Sequence, residues 1–446
     1  MSVEGTEFVN FYPCSTSSDL DSKPFCYKPL FVHHFFPSGF RFGNYKHLNI
    51  QLFYTIESLY TYLAVSGEFK ESTPERDIPC HLLELEKALF VNLPFPDGFL
   101  TRTQFIKKLD CRSELKFAST PVYESRLEDG RQFKLYSVKP GNKKIPIDFD
   151  TESLEKSTRF IVSGRTFTLG EQEEFQSIGN NSPLHVHRRM EWHCHWFIES
   201  MSNIKYDESW EIFFPVICPF KSTSSPNTER SPNHSVVFDP KAITGRDTYH
   251  LIGLATCYHF FTIDRTRLRI SQFFIFPQWQ RNGLGIEILE AIYTRAIEDD
   301  GIREITVEDP SPSFATIRDI VGLQLCLKRG VITHGHLSPD GNGPGTVTVQ
   351  EISRVCKENK TQAARLLEIL LLASVKAGDC DNDCTLEAYS VVRLRAKKRM
   401  KVENEELLAS VQNYKELLAE MWEERFHEYV RSINKVRKLC GVALDN

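Results

Sequence analysis

One stretch restricts this chain more than any other. It reads Ser271-Gln272-Phe273-Phe274-Ile275-Phe276-Pro277-Gln278-Trp279-Gln280-Arg281-Asn282-Gly283-Leu284-Gly285, an apolar run that enters a Gly-containing turn. Ile286, Leu289, Ile292, Tyr293 and Ala296 then recur at helical spacing, so the segment is predicted as strand, turn, helix. Peptide N–H groups at a helix start lack intrahelical partners, and the helix dipole adds about half a positive charge there. With glycines that let backbone come close, such a turn accepts a phosphate. A dinucleotide fingerprint needs Gly three positions after Gly285, where Ile288 stands, and a nucleotide-hydrolysing loop needs Gly-Lys-Ser/Thr, where Gly285-Ile286-Glu287 stands. A phosphate-bearing cofactor of another kind is expected.

The rest of the chain supplies a setting for that turn. At 446 residues it has room for two or three domains, and three polar Gly/Pro/Ser-rich stretches punctuate it: Lys139 to Ile147, Ser222 to Ser235 and Ser338 to Gly345. Ser182-Pro183 followed by Met190, Cys194, Phe197 and Met201 predicts a helix from about 183 to 202. Trp210 to Cys218, Tyr249 to Thr262 and Leu268 to Phe276 read as strands of one antiparallel sheet, Glu304 to Val307 as a short strand and Phe314 to Cys326 as a helix. Before this core, Leu48 to Leu63 reads as an apolar helix and Thr103 to Asp110 as another. After it, Val347 to Ala373 and Glu387 to Leu439 read as helical, the latter with an apolar stripe of Leu418, Trp422, Phe426, Tyr429, Ile433 and Val436.

A Gln-x-x-Gly-x-Gly turn after an apolar strand is what GNAT acetyltransferases carry at their acetyl-CoA pyrophosphate loop. Val307-Glu308-Asp309-Pro310-Ser311, Ser313-Phe314, Ile317-Arg318-Asp319, Trp196-Phe197-Ile198-Glu199-Ser200 and Phe42-Gly43-Asn44-Tyr45-Lys46 extend the likeness. Together they resemble the type B histone acetyltransferase catalytic subunits, most firmly over Arg188 to Cys326. The resemblance implies an α+β fold: a GNAT core at 126–335, a mixed, mostly antiparallel sheet flanked by helices, between an N-terminal α+β domain (1–125) and a C-terminal helical region (336–446). It implies that the backbone of Phe273, Phe274 and Ile275 pairs with the pantetheine arm, that Gln280, Arg281, Asn282, Gly283, Leu284 and Gly285 cradle the pyrophosphate, and that Ser313 adds a cofactor contact. Glu308 stands where the family has its general base, with Asp309 beside it. Cys257, Tyr258 and His259, with Asp207 and Glu208 in an acidic turn, fall where the family meets its peptide. The implied reaction acetylates lysines in the N-terminal tail of newly made, free histone four, with its histone-three partner and a WD-repeat chaperone. The implied locations are nucleus and cytoplasm.

The chemistry agrees with a carboxylate at 308. A lysine of pKa ~10.4 costs about 4–5 kcal/mol to deprotonate at pH 7. A Glu at a buried strand end beside a second carboxylate is expected to have its pKa raised toward the range useful to a general base. The amine then attacks the thioester directly, so no cysteine need act as a nucleophile. Taken alone, Glu308-Asp309-Pro310 reads as a polar strand end, with Asp309 and Ser311 capping the next helix. Its position after a short strand that follows the Gly-loop helix favours the catalytic reading.

Other signals weigh less. The formal net charge of −5, from 54 Lys plus Arg and 59 Asp plus Glu, argues against direct nucleic-acid binding. No secretory signal and no membrane-length apolar run is present, so an intracellular protein without a membrane role is expected, its twelve Cys reduced. His185, His187, His193, Cys194 and His195 suggest zinc but lack the spacing of a structural site, and read as solvated helix histidines. Cys380-Asp381-Asn382-Asp383-Cys384 reads as an exposed loop. No metal is expected. Arg393, Arg395, Lys397, Lys398, Arg399 and Lys401 form either a nuclear-import address or a solvated helix face. Where relatives carry an acidic run, this chain reads Pro37-Ser38-Gly39-Phe40-Arg41, which removes a Coulombic grip on a basic tail. That departure keeps two alternatives in view, a GNAT acting on another protein or small amine and a non-catalytic histone-binding scaffold. Intact Gln280, Gly283, Gly285 and Glu308 argue against the scaffold.

Overall fold

The computed structural model describes residues 5–36, 38, 40, 42–69, 88–89, 93, 96, 98–111, 120–141, 159–162, 165–168, 183–218, 250–338, 345–374 and 383–442. The Ser222–Ser235 stretch and most of the other two polar stretches lie outside them. The chain forms two compact units, Met1–Thr256 with Gln272–Trp279, and Cys257–Ser271 with Gln280–Asn446.

In the first unit, β1 (Val9–Cys14), β2 (Tyr45–Thr55), β3 (Thr61–Phe69), β6 (Arg159–Val162) and β7 (Arg165–Thr168) form one sheet in the order β1-β2-β3-β6-β7. The helix expected over Leu48–Leu63 is therefore a strand pair. Leu48, Ile50 and Leu52 are buried and alternate with the less buried Asn49 and Gln51, a period of two that β1 on one side and β3 on the other pin in register. The short helix α1 (Asp19–Ser22) follows β1. The helix expected at Thr103–Asp110 is present as α2 (Arg102–Cys111). Thr101 and Gln104 form a reciprocal cap at its start, each side chain accepting the other's backbone N–H at 3.2 and 2.9 Å. Its Phe105 and Leu109 pack with Tyr12, Phe53, Tyr60 and Leu100. A second sheet in this unit runs β4 (Tyr123–Arg126), β5 (Gln132–Val138) and β8 (Trp210–Cys218), with β9 (His250–Leu251) on β8, and continues from β8 into the first part of β10 (Gly253–Phe261) and the last part of β11 (Thr266–Ile275).

Helix α3 (Pro183–Cys194) ends eight residues before the expected 202. The carbonyl of Trp196 is taken by the N–H groups of Leu30 (2.9 Å) and Phe31 (3.0 Å), a distant segment that replaces the next helical turn. Of the histidines expected to be solvated, His185 is half-buried, His187 and His193 are wholly buried and His195 is nearly so. His187 Nδ1 lies 2.8 Å from Tyr206 Oη, His193 Nε2 3.4 Å from Thr61 Oγ1 and His195 Nε2 2.9 Å from Asn203 Oδ1. Among the described residues no group of three or more His, Cys, Asp or Glu is placed to hold a metal.

Burial opposes charging of these rings. It lowers the pKa of His187 well below 6.5, of His193 to about 3 and of His195 to about 4, and it raises Glu191 to about 7 despite the Arg188 guanidinium at 2.8 Å. Below pH 6.5 the unfolded chain binds the imidazole protons first, so their stabilising effect is complete above that pH and is lost as the pH falls. Glu191 acts oppositely, protonating first in the folded chain between pH 7 and 4.5. A fully buried neutral histidine loses about 2 kcal/mol between pH 7 and 5, and one carboxyl returns a similar amount. The urea midpoint is therefore expected to fall from pH 7 to pH 5, and to fall further in a Glu191→Gln variant. Midpoints equal at both pH values in both proteins contradict this assignment.

In the second unit the latter part of β10 (Gly253–Phe261) turns at Asp264 into the first part of β11 (Thr266–Ile275), and β12 (Ile302–Val307) lies parallel to β11. Parallel strands need a crossover. Here it is α4 (Leu284–Glu298), the helix that opens at the Gly-containing turn. Next come α5 (Pro312–Lys328), α6 (Val349–Cys356), α7 (Lys360–Ala373), α8 (Asp383–Glu403), α9 (Glu405–Ala409) and α10 (Tyr414–Cys440). Each of the two long helices expected after residue 346 is interrupted. Lys357 turns left-handed (φ 51°), Glu358 bridges to Ile305 of β12, and Asn359 caps α7 by accepting the Gln362 N–H at 2.8 Å. Beyond α8 the chain breaks at Asn404 and again before α10. Asp383 and Cys384 are helical rather than loop; residues 380–382 lie outside the described set. On α10, Trp422, Tyr429, Ile433 and Val436 are buried against α5, α7 and α8, as the stripe predicts.

Candidate active site

The Gly-containing turn forms as expected. β11 ends at Ile275, a short 3-10 turn spans Pro277–Trp279, and Gln280 to Gly283 are exposed. Arg281 (φ 63°) and Gly283 (φ 79°) both take left-handed backbone, which curls the chain into the start of α4. At Gly283 this conformation is free of the steric cost a Cβ carries; at Arg281 it is strain of the kind found at ligand-binding turns. The Gly283 carbonyl accepts from Ile286 (3.0 Å) and Glu287 (3.3 Å), and the side chain of Asn282 donates to the Gln280 carbonyl at 3.2 Å. Leu284 and Gly285 are buried.

In the same unit the β11–β12 ladder ends at Ile270↔Val307, with the Glu308 N–H donating to the Ile270 carbonyl at 3.0 Å. One residue on, Ser271 Oγ donates to Glu308 Oε2 at 2.6 Å. Two adjacent positions in register thus fix the carboxylate at the strand end. Glu308 is exposed, so the burial expected of it is absent. Asp309 is exposed as well and left-handed (φ 35°). Ser311 caps α5, accepting the Phe314 N–H at 3.2 Å, and Ser313 lies exposed in its first turn. Ser271 was not among the expected site residues; its only sequence signal is its place opposite Glu308 once the strands are in register. Cys257 is buried, Tyr258 packs edge-on against Phe260 with centroids 4.6 Å apart, and His259 is half-buried beside them on β10.

In the first unit, Phe273 and Ile275 are half-buried while Phe274 is buried against Phe197 (5.2 Å) and Phe276 (5.0 Å). A Cβ at Gly253 would lie 2.2 Å from the Phe274 carbonyl oxygen, so only glycine allows the backbone this close. Gln272 holds the approach from both sides: its N–H donates to Thr256 Oγ1 at 3.1 Å and its amide to the Ser202 carbonyl at 2.8 Å. Asp207 accepts the Ser209 N–H at 2.8 Å, which shapes the acidic turn, and Glu208 is exposed.

Comparison with known proteins shows what these residues resemble. A family model described as the N-terminus of histone acetyl transferase HAT1 matches residues 1–199. A histone acetyltransferase type B catalytic subunit of Cryptococcus neoformans is 27% identical over 91% of this chain and 89% of its own length. Its rat counterpart is 24% identical over 95% and 93%, and one from Dictyostelium discoideum 23% over 90% and 69%. The α+β fold, with strand, helix, strand and helix running in order through the Gly-containing turn, is that of a GNAT acetyltransferase. The chain is thus similar along almost its whole length to type B histone acetyltransferase catalytic subunits, and over residues 1–199 to the HAT1 N-terminal family model.

Proposed function

We propose that this protein transfers acetyl from acetyl-CoA to lysine side chains in the N-terminal tail of newly made, free histone four, by direct transfer with Glu308 as general base. The observation that carries the reading is the Ser271–Glu308 hydrogen bond at the end of a parallel strand pair whose crossover helix opens at the Gln280–Gly285 turn. The residues present fit acetyl-CoA: left-handed Arg281 and Gly283 curl exposed backbone around a helix start suited to a pyrophosphate, and β11 continues to Ile275 beyond the end of its ladder with β12. When bound, acetyl-CoA supplies the activated acyl group. Glu308, fixed by Ser271, accepts a proton from the lysine ammonium, and its exposure lets that proton pass on to water. In the second unit Asp309 adds negative charge suited to a basic tail, and Tyr258 and His259 are half-buried residues that would meet it; in the first unit Asp207 and Glu208 form an acidic turn of the same character. Phe273 to Ile275 would hold the pantetheine arm through their backbone, and Ser313 would add a cofactor contact.

The same reading extends to a WD-repeat histone chaperone and the histone-three partner as companions, and to residence in nucleus and cytoplasm. Arg393, Arg395, Lys398 and Lys401 are exposed on α8, as an import address requires. The test is mass spectrometry of a free histone-four tail peptide after incubation with the full chain and acetyl-CoA. Lysine acetylation of that peptide in preference to an unrelated basic peptide and to spermidine supports the reading. Preference for either competitor turns it toward another amine substrate, the alternative that Pro37–Arg41 suggests. Acetyl-CoA binding with no transfer to any of them makes the protein a scaffold.

A further inference from the structure

Seven cysteines fall among the fully described residues, and two of them meet: Cys326, near the end of α5, and Cys356, the last residue of α6, are both wholly buried with their sulfurs 3.5 Å apart. A disulfide needs about 2.05 Å, so the two sulfurs must approach by about 1.5 Å for the bond to form. The two residues after Cys356 make its position consequential. Lys357 donates its ammonium to the carbonyls of Ala296 (3.0 Å) and Asp299 (2.7 Å) at the end of α4, and its own carbonyl accepts the Ile305 N–H of β12 at 2.7 Å. Glu358 pairs with Arg318 of α5 at 2.5 Å. The end of α6 is thus a strap across α4, α5 and β12, and the cysteine pair sits at its root.

We propose that Cys326 and Cys356 are an oxidative cross-link site that low-molecular-weight disulfides such as glutathione disulfide convert to an intramolecular disulfide. One cysteine thiolate attacks the glutathione disulfide, forming a mixed disulfide and releasing a glutathione thiolate. The second cysteine, deprotonated in turn, attacks the protein sulfur and expels the second glutathione thiolate. Two protein thiols become one disulfide, one glutathione disulfide becomes two glutathione thiols, and the two protons end on the latter. The hydrogen bond to the Cys356 sulfur, with burial, holds the Cys326 thiol above its usual range, so the exchange is slow and proceeds through brief opening of the eight-residue α6. In a reducing compartment the pair rests as thiols, and oxidation fastens the strap to α5 by closing a loop across 30 sequence positions.

The test uses the full, folded chain in glutathione buffers of increasing oxidised fraction, trapped by alkylation and mapped by mass spectrometry. Expected is a cross-linked Cys326–Cys356 peptide two mass units lighter than its reduced parts, and a Tm raised by roughly 3–10 °C that dithiothreitol reverses. Cys326→Ala and Cys356→Ala should each abolish the cross-link. Exposed Cys26 serves as the internal control for oxidant reactivity. Glutathione on Cys26 with no Cys326–Cys356 link, or a link that forms only in urea, overturns the proposal. The readout is mass and melting, independent of acetyl transfer.

Discussion

A Glu308→Gln variant is expected to bind acetyl-CoA as the parent does and to turn over about 10²–10⁴-fold more slowly at neutral pH, a loss of roughly 3–5 kcal/mol of transition-state stabilisation. Glutamine keeps the shape of the side chain, and its amide oxygen can still accept the Ser271 hydroxyl at the place Glu308 Oε2 holds now. What it cannot do is take a proton, so the cost of deprotonating the substrate lysine falls back on solvent. That cost shrinks by about 1.36 kcal/mol for each pH unit closer to the lysine pKa. The ratio of parent to variant kcat should therefore narrow steadily from pH 7 toward pH 10, a trend that lost folding or lost cofactor binding would not produce. Because Glu308 is exposed, water and hydroxide reach the same place and supply the variant's residual rate. Equal kcat for both proteins at pH 7, or a ratio that stays constant with pH, removes Glu308 from the role of base.

What could be read in advance divides by whether the deciding partner is near in sequence. The run Trp210–Cys218 is β8 residue for residue, and the strand, turn and helix through Gly283 stand where expected, because their signals are local: an apolar run, a turn glycine, an amphipathic period. Leu48–Leu63 went the other way because its apolar residues fit helical spacing too, and only pairing with β1 and β3 settles which period counts. The overrun of α3 has a similar cause, since the Leu30 and Phe31 amides that claim the Trp196 carbonyl lie far away in the chain. The buried histidines depend on Tyr206, Thr61 and Asn203, none of them on the helix itself. At the site, Glu308 was legible from its motif, but its exposure and its hold by Ser271 exist only once β11 and β12 are in register. The N-terminal third offered few motifs, yet it lies wholly within the span that the family model matches, a likeness spread over many positions rather than gathered in one.

The second large effect lies where α5 meets the C-terminal helices α7 and α10. Asp319→Ala is expected to destabilise the protein by about 3–5 kcal/mol, the usual consequence of removing one member of a buried ion pair. Asp319 on α5 is wholly buried and accepts a forked pair of bonds from Arg365 of α7, with Nε at 2.8 Å from Oδ1 and Nη2 at 2.6 Å from Oδ2, and a third from Gln362 at 2.9 Å. Arg365 is only 5% exposed. Without Asp319 its guanidinium is left with Glu428 of α10 at 3.0 Å, a carboxylate already engaged by Arg425 at 2.7 Å. The loss thus reflects a stranded charge more than a lost attraction, and this can be separated by experiment. Adding Arg365→Met to Asp319→Ala removes the stranded charge and fills its volume with apolar atoms, so the double variant should be more stable than the single one in urea titrations. A single variant within 1 kcal/mol of the parent, as an approximate bound for surface-like behaviour, contradicts the role assigned to Asp319. A double variant less stable than Asp319→Ala means instead that Arg365 stabilises the fold mainly through the Tyr429 ring 5.0 Å away and through Glu428, with Asp319 the lesser partner.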